Sequence, residues 1–163
     1  MLLVADVGNS SVKFAVFDGD RIVETHRVRH IDAASGAELP AVVGSWTGDF
    51  VAVSVSSSGL GTLERRLGRS LAVLGRDVPI LVRNAYETPE EAGADRLANA
   101  AAAHARTGGA AVAVDAGSAV TVDAVGSDGT FLGGAIAPGL PALRAGLARA
   151  TPALPAWAAP GCC

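Results

Sequence analysis

Two short apolar runs, residues 2–5 and 111–114, end in the same way: an aspartate, one small or apolar residue, a glycine and a small polar residue. The first copy reads Asp6-Val7-Gly8-Asn9-Ser10 and the second Asp115-Ala116-Gly117-Ser118-Ala119. Each is followed by a two-residue alternation and then an acidic-glycine turn. In the first copy Val12, Phe14 and Val16 alternate with Lys13, Ala15 and Phe17 before Asp18-Gly19; in the second, residues 120–125 lead to Ser127-Asp128-Gly129. Alternation of that period belongs to half-buried strands, so each copy predicts a strand, a polar turn and a returning strand. The spacing between copies is far too long for a solenoid and suggests a duplicated domain. The boundary is placed near Gly108, giving domains at 1–108 and 109–163.

Between the copies the pattern alternates strands and helices. Residues 21–28 complete a three-stranded antiparallel meander, and 32–48 is Ala/Gly-rich and ambiguous. A strand is expected at 50–55, closed by Ser56-Ser57-Ser58-Gly59. A helix over 63–74 follows from the apolar face Leu63, Leu67, Leu71 and Leu74. Residues 79–82 predict another buried strand, and the alanine-dense segment 90–106 a helix stopped by Gly108-Gly109. The first unit is therefore expected to run β-β-β-α-β-α-β-α, an α/β fold.

Composition removes several function classes. Half of the 163 residues are apolar, enough for a sizeable core, and the net charge of −3 with scattered arginines offers no basic stripe for nucleic acid. No apolar run approaches the ~20 residues of a membrane span, and no basic leader opens the chain, so no membrane association and a cytoplasmic location are expected. Cys162 and Cys163, the only cysteines, cannot form a disulfide framework and suit a reducing compartment; a terminal Cys-Cys prenylation signal is the lesser reading. His26, His30 and His104 have no metal-ligand spacing, which argues against zinc, and His104 is simplest as a surface residue.

A strand ending in Asp-x-Gly-Asn/Ser brings together a carboxylate, a glycine that lets backbone N–H groups approach an anion, and short hydroxyl or amide side chains. That set suits phosphate and a cation. The carboxylate would meet phosphate through a metal ion or act on an attacking hydroxyl. Lys13, the only lysine among thirteen basic residues, adds a compact positive charge to the first hairpin. One such turn alone would read as an ordinary hairpin; two copies opening two domains favour a phosphate site.

This doubled arrangement resembles the actin, sugar kinase and chaperone superfamily, in which two related domains each give a hairpin to an ATP cleft. The motif series is narrower still. Asp6 to Ser10, Tyr86 ahead of Pro89, Gly93-Ala94-Asp95-Arg96, Asp115 to Ala119, and Gly133-Gly134-Ala135-Ile136-Ala137-Pro138-Gly139-Leu140 together resemble type III pantothenate kinase. The resemblance implies an actin-like (ribonuclease H-like) fold, with one complete domain and an incomplete second copy. It implies ATP-dependent phosphorylation of pantothenate to 4′-phosphopantothenate, the first step of coenzyme A biosynthesis. ATP phosphates would be held by Asp6, Val7, Gly8, Asn9, Ser10, Ser11, Val12 and Lys13, with Asp6 reaching them through Mg2+. Ser118, where the family usually carries threonine, would also contact ATP, and Asp115 would bind a monovalent cation, K+ or NH4+. Tyr86, Gly93, Ala94, Asp95 and Arg96 would hold pantothenate, with Asp95 as general base and Arg96 on the substrate carboxylate.

Alternatives stay open at single positions. Asp95 and Arg96 could be a solvated pair in the first turns of a helix, and Tyr86 a packing aromatic. Thr121 and Asp123, on the second hairpin, receive no role. A homodimer is the implied assembly. After residue 150 the Pro/Ala-rich end, with Pro152, Pro155 and Pro160, departs from the family pattern and suggests a truncated or frameshifted product. That leaves a non-catalytic remnant or accessory nucleotide-binding protein as the second reading, and another small-molecule kinase of the superfamily as a third. An unpaired sheet edge and an uncovered apolar face are expected.

Overall fold

The computed structural model describes residues 1–29, 38–151 and 153; His30, Cys162, Cys163 and most of the Pro/Ala-rich end lie outside the described residues. The two repeated segments form hairpins in two separate sheets.

In the first sheet, β1 (Leu2–Val7) pairs antiparallel with β2 (Ser11–Asp18), and β2 with β3 (Arg21–Arg29). β4 (Asp49–Ser54) then runs parallel to β1, and the short β5 (Ala72–Val73) parallel to β4. The strand order is β3-β2-β1-β4-β5. Strand alternation sends Leu3, Ala5 and Val7 from β1, and Val12, Phe14 and Val16 from β2, into one core. Two helices supply the other side of that core: Val43 from α1 (Ala41–Gly44), and Leu60 and Leu63 from α2 (Ser57–Leu67). The same alternation turns Asp6 and Lys13, directly opposite in register, onto the other face of the sheet.

Two sequence expectations shift here. The helix expected over 63–74 starts earlier, where the Ser56 side chain accepts a hydrogen bond from the Gly59 N–H, and ends at Leu67 because Gly68 turns left-handed (φ 66°). Leu71 continues the apolar spacing but, like Val73, reaches the core from beyond the helix, so the helical period is coincidental beyond Gly68. That places the fifth strand at Ala72–Val73. Residues 79–82 belong to no strand, and Leu81 is 91% exposed. The chain beyond them instead ties to the second sheet: the Ala85 N–H donates to the Phe131 carbonyl, and the Phe131 N–H to the Arg83 carbonyl.

A 3-10 turn at Pro89–Glu91 precedes α3 (Ala94–Thr107), which ends at left-handed Gly108 (φ 67°). The second sheet is the antiparallel meander β6 (Ala111–Ala116), β7 (Ala119–Val125) and β8 (Phe131–Pro138), followed by α4 (Leu140–Ala150). Helix α3 precedes Gly108 in sequence yet packs with the sheet that follows it: Leu97 and Ala100 join Val125, Phe131 and Tyr86 in a second, smaller core. His104, expected at the surface, is half-buried; its Nδ1 lies 3.1 Å from the Gly109 carbonyl and its ring sits against Gly129. The opposite face of the second sheet is open, with Val112 and Val114 about two-thirds exposed, and Leu140, Leu143 and Leu147 of α4 are exposed as well.

Candidate active site

The two repeated turns meet. One cleft of about 130 Å³ is lined by Asp6, Gly8, Asn9, Ser10, Ser11 and Lys13 from the first hairpin and by Asp115, Gly117, Ser118, Ala119 and Thr121 from the second, with Asp95 of α3 between them. The turn at Gly8 closes by its N–H donating to the Ser11 carbonyl at 3.1 Å, and the turn at Gly117 by its N–H donating to the Ala119 carbonyl at 2.8 Å. The Ser10 and Ser118 hydroxyls hydrogen-bond across the gap at 2.5 Å, so the turns touch. Lys13 Nζ lies 3.1 Å from Asp6 Oδ2, an exposed pair of opposite charges in the cleft wall. Such a pair contributes little to stability, about 0–1 kcal/mol, which leaves both groups free to exchange partners at small cost.

Glycines shape the second hairpin. A Cβ on Gly139 would run into the carbonyls of Gly117 and Ser118, and the Gly139 N–H donates to the Ser118 carbonyl at 3.0 Å. At the start of α3, a Cβ on Gly93 would come within 2.5 Å of Asp95 Oδ1, so the glycine gives that carboxylate its room. Asp95 Oδ1 also accepts the Arg96 N–H at 2.8 Å.

Arg96 turns the other way. It is 5% exposed and donates through Nε (2.9 Å) and Nη2 to Oδ1 of Asp123, which is fully buried. Its guanidinium lies 5.9 Å from the centre of the Tyr86 ring and 5.4 Å from that of Phe131. The hydrogen bond to Asp123 raises the Arg96 guanidinium pKa above its ordinary value, against the opposing effect of burial.

The profile of the Type III pantothenate kinase family matches residues 2–161. The chain belongs to that family. It is similar to the type III pantothenate kinases of Parafrankia sp. (strain EAN1pec), 39% identical, and Frankia alni, 37% identical, and to that of Desulfosudis oleivorans, 35% identical. Each match covers 86% of this chain and 59–60% of the relative, so the chain spans about three-fifths of the length of these kinases.

Against the family's motif series, the structure brings Asp6, Gly8, Asn9, Ser10, Ser11, Lys13, Asp95, Asp115 and Ser118 to one cleft. Val7 and Val12 do not line it with their side chains, which are buried in the first core; strand alternation leaves them only their backbone to offer. Gly93 is the residue before α3, and Ala94 faces a separate hollow with Gly75 and Arg76. Tyr86 is half-buried and packs edge-on against Phe131 at 6.4 Å. Arg96, expected either on a substrate carboxylate or solvated beside Asp95, is instead buried against Asp123.

Sequence reading missed Arg27 and gave Thr121 no role; both line the cleft. Arg27 sits beside Lys13 in register and its Nε donates to the Ser11 hydroxyl at 3.2 Å. A bulge between Val16 and Phe17 shifts the β2–β3 register by one residue. Without it His26 would stand opposite Lys13, so hairpin counting alone points to the wrong residue. Thr121 could have been found, because it lies opposite Asp115 as Lys13 lies opposite Asp6.

Proposed function

We propose that the chain carries the phosphoryl-transfer site of a pantothenate kinase, on an actin-like fold whose repeat boundary lies near Gly108, with α3 of the first copy docked on the second sheet. The observation that carries this reading is the convergence of Asp6, Lys13, Asp95, Asp115 and Ser118 on one cleft from three separate elements.

The donor set fits phosphate: two glycine turns, the Ser10, Ser11 and Ser118 hydroxyls, and the cations Lys13 and Arg27 all face one space. A metal ion needs more than the protein offers by itself, since no group of three or more His, Cys, Asp or Glu among the described residues could hold one. Asp6 would therefore hold Mg2+ together with ATP phosphate oxygens, and Asp115 a monovalent cation; bound there, such ions neutralise charge on the transferring phosphoryl group.

Asp95 takes the proton of pantothenate's primary hydroxyl as that oxygen attacks the terminal phosphorus, and ADP leaves. Tyr86 and the Gly93–Arg96 segment shape the pantothenate side. Entry of the ATP phosphates separates Ser10 from Ser118, replacing their mutual hydrogen bond by contacts to phosphate oxygens. The exposed valine face of the second sheet supports a homodimer, and no helix among the described residues is long and apolar enough to cross a membrane. The cytoplasm is the compartment proposed.

The test is ADP release with pantothenate, ATP, Mg2+ and K+. The chain should turn over, and Asp95→Asn should lose about 10²–10⁴-fold, the usual share of a general base. Turnover equal to that of Asp95→Asn would overturn the reading. A second reading, nucleotide binding without transfer, would follow if the contact between the turns persisted with nucleotide bound. ATP binding in calorimetry with no pantothenate-dependent ADP release would select it.

A further inference from the structure

We infer that Asp123 is a positioning residue, fixing Asp95 over the cleft through Arg96; the inference rests on the phosphoryl-transfer reading above. Asp123 is on β7, on the same sheet face as Thr121 and Asp115, since the β6–β7 register pairs Asp115 with Thr121 and Ala113 with Asp123. It is fully buried and receives two donors from Arg96, in the first turn of α3. Asp95 is the neighbouring residue of that turn, and its carboxylate is held by the Arg96 N–H. One ion pair thus ties the helix turn that presents Asp95 to the hairpin that presents Asp115, Ser118 and Thr121.

Three features show the pair is built for orientation. Its surroundings clamp it: the guanidinium lies against the rings of Tyr86 and Phe131, and Gly134, opposite Asp123 in β8, has no Cβ, which would fall 2.5 Å from Asp123 Oδ1. The Gly133-Gly134 pair therefore has a steric reason. Buried ion pairs are also poor sources of stability, because desolvation offsets their attraction. Finally, both Arg96 donors converge on Oδ1, and Oδ2 is left without a hydrogen-bond partner among the described residues.

The test compares wild type, Asp123→Asn, Arg96→Met and the double variant. Asn keeps the shape of Asp, so ATP should still bind at wild-type stoichiometry in calorimetry. The kcat should fall about a hundredfold, the scale of a misplaced reacting group, while KM for ATP stays within about twofold. The double variant should be no slower than Arg96→Met, because Asp123 acts only through Arg96. An unchanged kcat in Asp123→Asn, a fall matched by lost ATP sites, or additive losses would overturn the inference.

Hydrogen exchange gives a readout independent of turnover. In Asp123→Asn, amides of residues 94–97 should exchange at least about tenfold faster while those of β1 and β2 are unchanged. Unchanged exchange at 94–97 overturns the inference even if wild type fails to phosphorylate pantothenate, an outcome that would separately overturn the functional reading.

Discussion

The two hairpins carry the same turn on different supports. In β1 and β2 every inward side chain is at most 2% exposed, and Asp6 points away from that core. In β6 the order is reversed. Ala111, Ala113 and Asp115 face α3 and the cleft, and the larger Val112 and Val114 face outward. The alanines suit a close helix, since alanine-dense α3 lies on that side with Ala100 fully buried. A shared motif therefore fixes the turn and the position of the aspartate along the strand. Which sheet face that aspartate shares with packed neighbours is decided by the helix laid on the sheet. The partner across each strand differs too: lysine opposite Asp6, threonine opposite Asp115.

The largest expected effect that could break this contrast is in the cores. Phe14 and Val122 follow the residues opposite the two aspartates and so hold equivalent places, but Phe14 is 2% exposed against Phe50 whereas Val122 is 42% exposed. Phe14→Ala should cost about 3–5 kcal/mol, and Val122→Ala no more than ~0.5 kcal/mol. Urea unfolding of the two variants decides it, and comparable losses would mean that the outer face of the second sheet is covered in solution.

The turns themselves give a smaller contrast. Gly139→Ala forces a methyl into the backbone of Gly117 and Ser118, for which about 1–3 kcal/mol is expected. At Gly8 a Cβ would meet only the Ser11 carbonyl, at 3.3 Å. Gly8→Ala should therefore cost under ~1 kcal/mol, and a reversed order by the same unfolding assay would show that the first turn is the more constrained.

The smallest effect sharpens the far end of the second hairpin. The Thr130 hydroxyl and backbone N–H hold the Asp128 carboxyl below the usual aspartate range. A carboxyl with a depressed folded-state pKa stabilises above its unfolded pKa, and that contribution is lost as pH falls through the folded value. In Thr130→Val, which keeps the backbone N–H, carboxyl-detected NMR titration should show Asp128 moving part of the way back up, and an unchanged titration would remove the Thr130 hydroxyl as a cause.

Much of this was legible from particular residues. The repeated Asp-x-Gly turns, the meanders behind them and the alanine-dense helix follow from local pattern and turn chemistry. The family followed from the motif series. Errors came where a local signal continued past a backbone decision. The leucine spacing from Leu63 to Leu74 runs through left-handed Gly68, and the β2–β3 bulge hides Arg27. Residues 79–82 are apolar enough for a strand but find no neighbouring strand to pair with among the described residues.

By itself, then, the sequence determined where the turns fall, which residue types they offer, and that there are two of them, because such features depend on neighbours a few positions apart. Only the tertiary structure decided that Asp6, Asp95 and Asp115 share a cleft, and that Arg96 is buried against Asp123 instead of facing it. Those outcomes depend on how α3 lies against a sheet formed later in the chain, and long-range packing of that kind leaves no periodic trace in sequence.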